Sequence, residues 1–94
     1  MSMAEKEPQS IVASALDTLF GLKARAPDLQ ETQEKRLLEI EQSIIDSEYR
    51  IGKIEERRTQ KIFSNNEANR KVQIEMDIIN SNVKEIEDIG QSIK

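Results

Sequence analysis

The sequence predicts an all-α protein: a long helical hairpin, or antiparallel coiled coil, with a short N-terminal amphipathic helix, two copies of which could associate into a four-helix bundle. Three observations predict it. Aliphatic residues recur at steps of three and four over two long stretches, the pattern of helices that pack on one another. Glycine and proline are scarce, three and two in 94 residues, which argues against a turn-rich β protein. Charged residues make up 34% of the chain, above the ordinary share, so polar helix faces are plentiful and a thick core is not.

Residues 1–8 are expected to be disordered. Pro8 and Pro27 punctuate the N-terminal third. Between them Ile11, Val12, Leu16, Leu19 and Phe20 fall at helical spacing, predicting an amphipathic helix over 9–22. Gly21 is a candidate stop, and 23–27 reads as a linker. The hairpin then occupies 28–94. Asp28 is its expected N-cap, with Glu31 three residues on in capping-box position.

The outgoing helix places Leu37, Ile40, Ile44, Ile51 and Ile54 on one seam, with Ser47 its single polar member. The return helix places Val72, Met76, Ile79, Val83, Ile86 and Ile93 on another, with Gly90 before the last. These two stripes are the expected self-association seam. Their registers do not join without a skip between 58 and 62. Ser64-Asn65-Asn66-Glu67 is the strongest internal turn signal. Ser64 and Glu67 form an S-x-x-E capping box, and Asn65 or Asn66 tolerates the left-handed backbone that ends a helix. A turn near 64–66 is therefore expected, between helices over 28–63 and 66–93. The alternative is one continuous helix in a parallel coiled coil, because Asn and Ser cost only roughly a few tenths of a kcal/mol inside a helix. Glu31–Lys35, Asp46–Arg50 and Glu67–Lys71 are expected surface pairs, each with the acid four residues before the base.

Apolar residues also fall off the seams: Leu38, Ile45 and Tyr49 on the outgoing helix, Ile74, Ile78 and Ile89 on the return. A second stripe needs a second partner, and β-branched residues at both core positions disfavour two strands. A homo-oligomer is therefore expected, with a dimer of hairpins favoured.

Much chemistry is excluded. With no Cys and no His there are no disulfides, no thiolate or imidazole zinc ligands and no His-based triad. There is no Gly-rich phosphate loop and no EF-hand pattern. The acidic clusters Glu39/Glu41, Glu55/Glu56 and Glu85/Glu87/Asp88 read as solvated faces, since carboxylate catalysis needs two acids converging in a pocket. No enzyme, cofactor or metal role is expected. No apolar run approaches the length of a membrane span. Met1 to Pro8 has neither the basic nor the apolar stretch of a secretory leader, so a cytoplasmic location is expected.

Charge points to partners. The chain carries a net −4, yet Arg50 to Lys71 holds seven basic and three acidic residues, a net of +4. Arg57, Arg58, Lys61, Arg70 and Lys71 all gather near the expected turn. A basic tip on an acidic body suits docking to an acidic partner. Nucleic acid is disfavoured, because Phe63 is the lone aromatic among these cations and the overall charge is repulsive. The N-terminal helix is a second docking candidate, through Ile11, Val12, Leu16, Leu19 and Phe20; it could equally fold back as a third helix. Glu5, Glu7 and Asp17 offset Lys6, Lys23 and Arg25, which disfavours a membrane-surface helix. The expectation is a non-enzymatic structural or interaction protein. It would self-associate through its seam and dock a larger, helical partner through the N-terminal helix or the basic tip. The alternatives are a small acidic assembly or secretion chaperone (or inhibitor) for a coiled-coil partner, and a nucleic-acid accessory factor using the tip.

Overall fold

The computed structural model describes residues 8–25 and 29–93. Three helices follow in order: α1, Pro8–Lys23; α2, Glu31–Thr59; α3, Asn65–Ser92. The described residues hold no strand. α2 and α3 pair as an antiparallel hairpin, and α1 packs against both. The continuous helix is excluded, because α2 ends at Thr59 and the chain reverses before Asn65. Residues 1–7 of the expected disordered segment, 26–28 of the expected linker and hairpin start, and Lys94 lie outside the described residues.

The start of α2 differs from the expected cap at Asp28. Gln30 is the N-cap, in extended backbone, and its amide donates to the Gln33 side-chain oxygen at 3.0 Å. The side chain three residues ahead thus satisfies an amide that the helix leaves unpaired.

The reversal spans Gln60 to Ser64. The Ile62 amide donates to the Arg57 carbonyl at 2.9 Å and the Lys61 amide to the Arg58 carbonyl at 3.0 Å. This is a Schellman closure, which requires a left-handed residue after the C-cap. That residue is Lys61, at φ 62°, and neither Asn65 nor Asn66. Both asparagines already lie in α3, so the turn comes earlier than 64–66. Ser64 does cap α3: its hydroxyl accepts from the Glu67 amide at 3.1 Å.

α1 buries Val12, Ala15, Leu19 and Leu22, one face at steps of three and four. They meet Leu37, Ile40 and Ile44 of α2 and Ile79 and Ile86 of α3 in one core. α1 runs parallel to α3, with Ser10 beside the groove lined by Asn80 and Leu22 against Gly90. Leu22 packs against Gly90 so closely that a Cβ there would sit in ordinary contact with its side chain, at 3.5 Å. Lys23 ties the helix end to Glu41 of α2 at 3.0 Å.

Helix lengths then decide what is covered. α1 has 16 residues and α2 has 29, or about 24 and 43 Å at 1.5 Å per residue. Among the described residues, the base of the hairpin is three helices thick and its distal half is two.

Leu19 is fully buried, so Leu19→Ala should cost about 2–5 kcal/mol in denaturant unfolding. A cost within the scatter of surface mutations would mean that α1 does not hold to the hairpin. Lys61 bears a left-handed backbone without being glycine. Lys61→Gly should therefore raise stability by about 0.5–1 kcal/mol, read as a higher denaturant midpoint with unchanged slope.

Candidate interaction surface

On α2, Leu37, Ile40, Ile44, Ser47, Ile51 and Ile54 are all buried within the single chain. The α3 seam is rotated by one residue from the apolar reading. Ile79 and Ile86 are buried and Val72, Met76, Val83 and Ile93 only half-buried, while Glu75 and Asn82 take buried places. Glu75 accepts from Arg50 Nε at 2.9 Å, and Asn82 donates to the Ser43 hydroxyl at 2.9 Å, both across to α2. Val83 instead lines a groove with Ile11 and Ala15 of α1. The cause is that α3 faces two neighbours. Turning Val83 and Gly90 toward α1 turns Glu75 and Asn82 toward α2, where each finds a partner. Arg50 also donates to Ser47 at 3.3 Å, so the middle of the seam is a small polar network.

None of the three expected surface pairs closes among the described residues. Arg50 goes across to Glu75 instead of to Asp46. Arg36 bridges α2 to α3 by gripping both carboxylate oxygens of Glu85, one at 2.7 Å, and also holds Glu39 at 3.0 Å. The hydrogen bonds from Arg36 hold the Glu85 carboxyl below its ordinary value, and Glu85 in turn raises the guanidinium.

The candidate residues of α1 are largely spent on the core. Val12 and Leu19 are buried, and Ile11 and Leu16 are half-buried against it. Phe20 is 47% exposed, with Lys23 Nζ 5.5 Å from its ring centroid.

The tip residues stay open. Arg57, Lys61 and Arg70 are exposed, and Arg58 and Lys71 are half-buried. Arg58 is tied to Glu55 within its own helix. Arg57, Lys61, Arg70 and Lys71 make no ion pair among the described residues. Arg57 and Lys71 instead converge on Phe63, 5.9 and 5.1 Å from its ring centroid. Here the two distal helices form a groove of about 330 Å³. Its floor is Ile54, Phe63 and Ile74, its rim Arg50, Lys53, Arg57 and Lys71, and its one acid is Glu75. The composition reading missed this groove, although Arg50, Lys53 and Arg57 at steps of three and four already share a helix face. Of the groove's lining Ile74 is 59% exposed; Ile62 and Tyr49, outside it, are similarly open.

No described helix is long and apolar enough to cross a membrane, and no described carboxylates group to hold a metal ion. Comparison with protein-family models, curated proteins and solved structures finds no match to this chain.

The lowered Glu85 carboxyl makes a pH prediction. A depressed carboxylate contributes stability above the ordinary value of 4.5 and loses it as pH falls through the folded value. Glu85→Gln should therefore melt lower than the parent at pH 7, with the gap closing below about pH 4.5. Both side chains are more than a third exposed, so the gap should also shrink in molar salt. A gap independent of pH would show that the pair contributes no charge-dependent stability.

Proposed function

We propose that the chain is a non-enzymatic interaction protein that docks a larger protein partner through the distal half of its hairpin. One observation carries this reading: among the described residues nothing covers Ile74, 59% exposed, and the cations Arg57 and Lys71 near it have no carboxylate partner. Monomeric proteins seldom leave apolar surface rimmed by charge without a use for it. The N-terminal helix is set aside as the docking element because its apolar face is packed. The acidic clusters support a non-enzymatic reading. Glu39 and Glu85 serve Arg36, Glu55 serves Arg58, and Glu56 lies 3.7 Å from Lys53.

Self-association takes second place in this reading. The seam first assigned to it closes within one chain. What remains for a second copy is the same bare face, through Ile74 and half-buried Ile78.

The test is a photo-crosslinking residue at position 74 of the full chain, in the cells that make it, with exposed Thr18 on α1 as control. Position 74 should give a dominant adduct heavier than a dimer, and position 18 should not. Equal labelling at both positions, or none, would remove the tip as the docking surface. An adduct of twice the chain mass alone would hand the face to self-association.

A further inference from the structure

We infer that the groove between the distal ends of α2 and α3 receives an acidic amphipathic helix from a partner protein. An apolar side chain of that helix sits over Ile54, Phe63 and Ile74, and its flanking carboxylates pair with Arg57 and Lys71. This rests on the tip being a docking surface and names the chemistry of what docks there.

The floor comes first. Ile54 is 8% exposed, and with Phe63 and Ile74 it makes the floor apolar. An apolar depression of about 330 Å³ between two helices is at the small end of binding sites and suits large side chains, not a whole cofactor. The cations come second. Arg57 from α2 and Lys71 from the start of α3 both lie over the Phe63 ring. A ring face attracts a cation without consuming its N–H donors. Both side chains are therefore pre-positioned with donors free, the state in which charge-assisted hydrogen bonds to carboxylates cost least ordering. Arg50 neutralises Glu75, the single acid in the groove, so the field at the mouth is positive.

The fold of the ligand follows from the backbone around the site. The groove is framed by α2, α3 and Phe63 of the connection between them, and the described residues hold no strand edge. A partner segment entering an apolar groove must therefore satisfy its own amides, which a helix does and an extended peptide does not. The charge of the ligand excludes simpler occupants. A free phosphate has no use for Ile54 and Ile74. A nucleic-acid strand would meet a chain of net −4 with one aromatic in the groove for stacking. A second copy across a two-fold axis would bring this basic rim against itself, which repels.

The probe is a capped, fluorescein-labelled 18-residue helical peptide with Leu at i, i+4 and i+7 and Glu flanking each Leu. Binding to the full chain is read by anisotropy at low salt. The peptide should bind, and its affinity should fall at least about tenfold with Gln for Glu and again with Ala for Leu. Arg57→Glu with Lys71→Glu should lose this peptide and gain one with Lys in place of Glu. Circular dichroism checks the fold, and Arg57→Gln with Lys71→Gln serves if the reversal unfolds the tip. Several results would overturn the inference. They are no binding, binding indifferent to Glu or to Leu, a charge swap that fails to transfer, and displacement by inorganic phosphate or oligo-dT at concentrations where Gln peptide does nothing. A parent that sediments as a dimer and must dissociate to bind would make a second copy the occupant, and overturn it too. If the adduct at position 74 forms while the acidic peptide fails, the docking surface stands and this ligand chemistry falls. If both fail, both fall.

Discussion

The polar contacts inside the α2–α3 seam govern the rest of the molecule. A seam of isoleucine packs almost as well one residue around the helix or one heptad along it, because burial of apolar surface is not directional. Glu75 and Asn82 remove that freedom. A buried carboxylate or carboxamide without a partner costs more than an apolar contact returns, so the rotation of α3 must bring Glu75 to Arg50 and Asn82 to Ser43. Polar residues at core positions are the best-attested way to specify register. Once α3 is so turned, Val83 and Gly90 face sideways, and that side is where α1 lies with Leu22 against Gly90.

Everything at the tip is then a matter of reach. Among the described residues, α1 covers one side of the base and reaches about halfway along the hairpin. Among the described residues the buried apolar side chains of the distal half are Ile51, Ile54 and Ala68, with Val72 and Met76 half-buried, and Ile74 remains in water. The same half carries the chain's excess of positive charge. Charge separation along the hairpin therefore coincides with the step from three helices to two, and the groove sits on the basic, thinner part.

Much of this was legible in the sequence. α2 shows its seam because its apolar positions follow a single 3.5-residue repeat, and even Ser47 was in line. α1 was legible from the same periodicity, with bounds within a residue. α3 was not, because it packs on two helices and carries two overlapping repeats. Hydrophobicity alone selects Met76 and Val83, and the partners that make Glu75 and Asn82 acceptable lie 25 and 39 residues away. The turn shows the same limit. Ser64 could be read as a cap from its own three-residue context, whereas Lys61 takes the left-handed backbone because the reversal demands it, against its own preference. The groove was half legible. Its cations stood out as a charge cluster, but their convergence on Phe63 depends on how α2 and α3 end side by side.

An uncovered apolar groove is an aggregation hazard unless something shields it, and the same cations serve here. The stems of long basic side chains lie along apolar surface while their heads stay in water. Lys71 and Arg57 over Phe63, and Lys53 over Tyr49 at 5.4 Å, apply this to the aromatic groups of the distal half. Such cover is weak, about 0.5–1 kcal/mol for an exposed cation over a ring. It lowers the apolar area that a stray surface would meet, and the net charge of the tip repels another tip. A carboxylate-bearing ligand can displace the heads without losing their charge interaction, because it supplies a better acceptor than the ring. Shielding the groove when empty and selecting what enters it are thus two consequences of placing unpaired cations over an aromatic floor.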